Sequence, residues 1–229
     1  MLVLVTGGSA SGKSAFAEGI TERIHNGDGS KYYLAFMKND SKTAEKRIER
    51  HRKLREGKGF ITLEIPCDVD MELEKTLAYS VQNIKLSGTH EKECTDIPGK
   101  EKWYGSDTVL MESVGVLLAN EMFKDGIVRE DAGKYVLEEL LNAAAYFENV
   151  VIVGEDVFSD GNEYDEYSLK YIEALGYVNR GISKKADAVA EVVCSYPIWI
   201  KGEVLGRHIF EAERRINGTL CRRKMSGKA

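Results

Sequence analysis

The octapeptide Gly7-Gly8-Ser9-Ala10-Ser11-Gly12-Lys13-Ser14 follows directly on the apolar run Leu2-Val3-Leu4-Val5 and fits the pattern G-x-x-x-x-G-K-[ST]. Few folds accept this order. A buried strand runs into a tight glycine-rich turn, and a helix is predicted over Ser14 to Ile24 immediately after it. Gly7 and Gly12 let the backbone turn its N–H groups inward, where they and the helix N-terminus attract a polyphosphate. Lys13 then reaches the β- and γ-phosphates, and the Ser14 hydroxyl ligates Mg²⁺. The loop Gly7, Gly8, Ser9, Ala10, Ser11, Gly12, Lys13 and Ser14 is read as a site for GTP or ATP with Mg²⁺, the base being left open.

The rest of the chain alternates. Strands are predicted at Leu2 to Thr6, Tyr32 to Phe36, Phe60 to Ile65, Thr108 to Met111 and Val150 to Val153, with a final pair near Val189 to Val193 and Ile198 to Lys201. Helices are predicted at Ser14 to Ile24, Ser41 to Glu56, Val69 to Asn83, Val114 to Phe123, Glu130 to Phe147 and Glu166 to Ile182. Such alternation implies a three-layer α/β fold of the P-loop NTPase kind, a mostly parallel sheet with helices on both faces. The Tyr196-Pro197 step reads as a tight turn that reverses the last strand. The polar stretch Lys85 to Ser106 reads as a surface excursion, and 203–229 as a helical and basic tail outside a 1–202 domain.

Composition narrows the partners. With 229 residues, 43% hydrophobic and 30% charged, and a net charge of −5, the chain is long enough for one large domain and too acidic for a general nucleic-acid binder. No apolar run reaches the roughly 20 residues of a membrane helix, and the expected location is cytoplasmic. Cys67, Cys94, Cys194 and Cys221 are far apart and form no C-x-x-C pair, so they read as ordinary thiols. His25, His90 and His208 have no supporting context and read as surface residues.

Two further features bear on chemistry. In Lys42 to Arg55, the residues Arg47, His51 and Arg55 recur at i, i+4 and i+8, which puts two guanidiniums on either side of an imidazole on one helix face. Such a face suits a phosphate, and a neutral imidazole within it is a base or a nucleophile. The same run carries Lys42, Lys46, Arg50, Arg52 and Lys53, and spacing alone favours a solvated basic face. The run Thr108-Val109-Leu110-Met111-Glu112 ends in an acid, which places a carboxylate at the sheet edge where ligands of open α/β sheets bind. Glu112 there would hold Mg²⁺ through a water or act as a base, a plain strand-end residue being the alternative. Val150-Val151-Ile152-Val153, followed by Gly154-Glu155-Asp156, repeats the arrangement with Glu155.

The order GGSASGKS, RIERH in a basic helix, VLMES with Asn120 after it, VGE after an apolar strand, and LGYVN at 175–179 followed by Lys185-Ala186-Asp187 resembles the bifunctional adenosylcobinamide kinase and adenosylcobinamide-phosphate guanylyltransferase family of cobalamin assembly. The resemblance covers roughly residues 1–201. It implies a transferase that phosphorylates the aminopropanol hydroxyl of adenosylcobinamide and then moves GMP from GTP onto that phosphate through a guanylylated histidine, which His51 matches. By the same resemblance Lys13, Glu112 and His51 are catalytic, Arg47, Arg55 and Glu155 join the nucleotide site, Ser14 and Glu112 hold Mg²⁺, and a homotrimer is expected. Relatives carry arginine at the place of Ala10, paired threonines at Gly115-Val116 and arginines near Ser168 to Ile172, so the acceptor side differs here. A P-loop kinase of another small alcohol or nucleotide, and a non-catalytic GTP-binding relative, are the alternatives.

Overall fold

The computed structural model describes residues 1–25, 27–38, 42–87, 95–97, 100–102, 106–157, 163–203 and 205, with the side chains of 43, 47, 54, 79–87, 95–97 and 100–102 outside that description. In chain order it forms β1 (Leu2–Thr6), α1 (Lys13–Ile24), β2 (Lys31–Ala35), α2 (Lys42–Arg55), β3 (Phe60–Glu64), α3 (Val69–Ser87), β4 (Thr95–Ile97) and β5 (Lys100–Lys102). Then follow β6 (Thr108–Glu112), α4 (Val114–Met122), α5 (Ala132–Ala144), β7 (Asn149–Val153), α6 (Glu166–Lys185), β8 (Ala188–Val193) and β9 (Tyr196–Lys201).

Seven strands make one sheet in the order β3-β2-β6-β7-β1-β8-β9, parallel throughout except for β9, which returns antiparallel along β8. The expected three-layer α/β architecture is present. Apolar runs such as Leu2-Val3-Leu4-Val5 are buried on both faces because strand side chains alternate. Val3 and Val5 pack with Ala17, Ile20 and Ile24 of α1 on one face, while Leu4 joins Leu117, Leu140, Leu175 and Val178 of α4, α5 and α6 on the other. The parallel register aligns the C-terminal ends of β1, β2, β6 and β7, so Thr6, Ala35, Glu112 and Val153 finish along one edge.

Three expectations change in detail. The reversal between β8 and β9 is made by Cys194 and Ser195, at φ +50 and +67, while Tyr196 and Pro197 already belong to β9. Pro197 is tolerated there because β9 is the edge strand of the sheet, and an edge strand offers a proline a position that needs no ladder N–H. Second, α3 persists to Ser87, and the excursion after it contains the antiparallel pair β4 and β5. Third, α5 spans only Ala132–Ala144, because Ala145, Tyr146 and Phe147 turn back on i−3 carbonyls. Of the tail 203–229, only Glu203 and Leu205 are described, and Leu205 packs against the core cluster that holds Val3, Val5 and Ile20. Cys67 and Cys194 are free thiols, and Cys94, Cys221, His90 and His208 lie outside the described residues. His25 is half-buried and no free surface residue: it caps the end of α1, and its Nδ1 lies 3.2 Å from Thr108 Oγ1.

Leu110 is fully buried in β6 between two parallel neighbours. Leu110→Ala leaves a void that a packed sheet cannot close, so it should lower the unfolding free energy by about 2–5 kcal/mol. Urea denaturation with an unchanged slope checks this.

Candidate active site

The phosphate loop is held open by its neighbours. Gly12 caps α1 in the left-handed conformation at φ +94, and no side chain caps the helix, so its first N–H groups keep their free donors for a ligand. A side chain at this position is doubly excluded, since an added Cβ would lie 2.6 Å from Ser195 Oγ. The β8–β9 turn thus rests on the loop, with Ser195 N–H donating to Ser11 O at 2.8 Å. Lys13 Nζ, the group expected on the phosphates, donates to Gly8 O at 3.1 Å.

Glu112 gathers the remaining groups. Its Oε1 accepts from Ser14 Oγ at 2.5 Å, its Oε2 accepts from Tyr33 O–H at 2.8 Å, and His51 Nδ1 lies 3.8 Å from that second oxygen. Two hard oxygen donors, Ser14 and Glu112, therefore meet beside the loop, a donor set that suits Mg²⁺. Arg55 is only 6% exposed and its guanidinium lies over the Tyr33 ring, 3.4 Å from the centroid. Its Nε and Nη1 are buried without a hydrogen-bond partner among the described residues, an arrangement that is costly unless an anion arrives. Beyond α2, Lys58 pairs at 2.6 Å with Glu18, a buried acid of α1. This pair anchors the end of α2 against the loop helix.

Of the residues singled out in α2, His51 and Arg55 share a face with Glu112 and Tyr33, so that side is not a solvated one. The side chain of Arg47 lies outside the described residues. Arg52 and Lys53 do face outward, in surface pairs with Glu64 and Glu49.

Glu155 occupies the same edge but is turned to the start of α4. Its Oε2 accepts from Gly115 N–H at 2.7 Å, a carboxylate placed at a helix N-terminus. Burial pushes the Glu155 carboxyl above the usual carboxylate range, against the opposing pull of the Ser113 hydroxyl, the Gly115 N–H and Lys13. Tyr171 O–H donates to Gly115 O at 3.0 Å and Asn179 Nδ2 donates to Glu155 O at 3.0 Å. A Cβ on Gly115 would lie 2.7 Å from both Glu155 Oε2 and Tyr171 OH. This glycine is a close-approach residue.

Sequence reasoning missed Tyr33, Ser113 and Tyr171. The available signal for Tyr33 was a phenol that alternation puts on the opposite side of the strand from Tyr32, on the face shared with Leu110 and Val5. Asn120 donates to Phe36 O at 2.7 Å and Pro66 O at 2.9 Å, and Asp187 accepts from Leu2 N–H at 2.8 Å, so both act as pins between segments.

A family model described as cobinamide kinase / cobinamide phosphate guanyltransferase matches residues 3–85 and 89–200. A search of curated proteins returned no match. Among solved structures, the KaiC-like protein PH0186 from Pyrococcus horikoshii OT3 is similar at 12% identity and a TM-score of 0.41, over 83% of this chain and 69% of that one. A prototypical ATPase from the type III secretion system of pathogenic bacteria is similar at 11% identity and a TM-score of 0.42, over 83% and 50%.

The raised carboxyl of Glu155 fixes the sign of a pH effect. Between the ordinary carboxylate range and its raised folded value, only the folded protein holds the proton, so this group's stabilisation is lost as pH rises through that window. Glu155→Gln removes the proton equilibrium while keeping an acceptor for Gly115. Thermal midpoints from about pH 4.5 to 7.5 should therefore fall more steeply in the parent than in Glu155→Gln.

Proposed function

The chain belongs to the cobinamide kinase / cobinamide phosphate guanyltransferase family, transferases of cobalamin biosynthesis, and from that premise we propose that one nucleotide site serves both reactions through Glu112. The observation that carries this reading is that one carboxylate meets both the serine of the phosphate loop and the histidine of α2.

In the kinase reaction, Lys13 leaves Gly8 O and follows the β- and γ-phosphates, while Ser14 and Glu112 are the residues that would hold Mg²⁺. When bound, Mg²⁺ supplies charge neutralisation between the phosphates. The acceptor hydroxyl attacks the γ-phosphorus, the bond to the departing nucleoside diphosphate breaks, and the hydroxyl proton passes to water. Catalysis here is positioning and charge, which the loop, the lysine and the shared carboxylate supply.

In the transferase reaction the nucleophile is His51. Its Nδ1 faces Glu112, which leaves Nε2 to attack the α-phosphorus of GTP. A P–N bond forms, the bond to the β-phosphate oxygen breaks and pyrophosphate leaves. An oxygen of cobinamide phosphate then displaces the histidine, which breaks the P–N bond and restores the imidazole. Splitting the transfer into two steps spares the enzyme a direct reaction between two anions. The unpartnered donors of Arg55 take the charge on the transferred phosphate.

Incubation with GTP labelled on the α-phosphate, followed by intact-protein mass spectrometry, tests this. The parent should gain a GMP-sized, acid-labile and alkali-stable adduct, and His51→Ala should lose it while still phosphorylating cobinamide. No adduct on a parent that demonstrably binds GTP defeats the transferase reading, while kinase turnover on another alcohol alone would point to a simple kinase. Lys13→Ala should cost about 3 kcal/mol of transition-state stabilisation, the worth of one preorganised donor. Its circular dichroism should be unchanged, and near-normal turnover would remove the loop from the mechanism.

A further inference from the structure

Tyr33 touches both halves of this site, although neither the loop pattern nor the α2 spacing points to it. It is 3% exposed, at the middle of β2, with a strand on either side. Its hydroxyl donates to Glu112 Oε2 at 2.8 Å, and its ring carries the Arg55 guanidinium at 3.4 Å. Phe60 of β3 braces the same ring edge-on, with centroids 6.4 Å apart. Each contact answers a separate problem.

Glu112 must face His51 and Ser14 at once. The Tyr33 hydroxyl fixes the carboxylate plane, because Oε1 is taken by Ser14 and Oε2 by the phenol. A phenol keeps its proton throughout the neutral range, so the hydroxyl serves Glu112 as an O–H donor. Arg55 has the opposite problem. It is buried, with Nε and Nη1 unpartnered among the described residues, and a flat support keeps the guanidinium oriented with those donors open.

We propose that Tyr33 is the positioning residue that couples the two chemistries, its hydroxyl aligning Glu112 for phosphoryl transfer and its ring presenting Arg55 to the nucleotide phosphate. This rests on the roles proposed above for Glu112 and Arg55. The two contacts come apart by substitution: Tyr33→Phe removes the hydroxyl and keeps the ring, and Tyr33→Leu removes both.

The experiment compares the parent, Tyr33→Phe and Tyr33→Leu in three measurements: kinase turnover on cobinamide, the rate of His51 labelling from GTP, and calorimetric binding of GTP with Mg²⁺. Tyr33→Phe should lower the kinase kcat about tenfold at an unchanged KM for the nucleotide, with labelling and binding falling less than about threefold. Tyr33→Leu should lower labelling and weaken GTP binding about tenfold as well. Loss of all three to the same degree in both variants would make Tyr33 merely structural, and near-parent values in all three would make it dispensable; either overturns the proposal. Should Tyr33→Leu not fold, Arg55→Lys keeps the charge without the flat stack and stands in for it. A parent that takes no label defeats the transferase reading alone, since the kinase and binding measurements still decide the case of Tyr33. A parent with neither activity leaves calorimetry, where equal binding by all variants overturns the role of the ring.

Discussion

The groups at the C-terminal edge of the sheet are arranged around one carboxylate that the fold keeps nearly dry. The Glu112 side chain is 9% exposed, and a carboxylate removed from water is tolerated only where donors replace the lost solvent. Those donors come from far away: Ser14 is 98 residues from Glu112 in sequence and Tyr33 is 79. Neither can reach it until β1, β2 and β6 take their places in one sheet. The site is therefore a product of the parallel register, and its polar contacts in turn tie α1 and β2 to the end of β6.

The same logic explains which parts could be read from the chain and which could not. Local patterns carry local information. Continuous apolar runs named the buried parallel strands within a residue or two, and the glycine spacing named the loop. Acid-tipped strands were legible because a strand's last residue must emerge at the sheet edge. The α2 spacing foresaw that His51 and Arg55 share a face, but periodicity says nothing of what that face meets, and spacing alone favoured a solvated surface. Tyr33 was invisible for the same reason: alternation gives its side of the sheet, while its partners are set by register with β6 and by the docking of α2. Glu155 shows the converse limit. Its place at the edge followed from sequence, yet its carboxylate is held by the N-terminus of α4, which no spacing rule connects to the end of β7.

Around the reactive groups lies a set of polar pins that do no chemistry. Asn120 ties the segments after β2 and β3 to α4, Asn179 ties the segment after β7 to α6, and Asp187 ties the start of β8 to the start of β1. Each uses a side chain to satisfy backbone groups left over where strands end, which loops alone would leave to water. On the other face, Lys58 and Glu18 hold the end of α2 against α1. These pins fix loops that would otherwise be the mobile part of an edge-bound site.

The crowding above Gly115 constrains how this sequence can change over generations. Any side chain at 115 must displace Glu155 Oε2 and Tyr171 OH, and so give up the two hydrogen bonds that those groups make to the backbone of Gly115 itself. The three positions are coupled: a β-carbon at 115 requires the tips of the Glu155 and Tyr171 side chains to move, and it is their hydrogen bonds to Gly115 that are lost. Substitutions at 115, 155 and 171 should therefore be non-additive, joining the start of α4 to α6 and to the segment after β7.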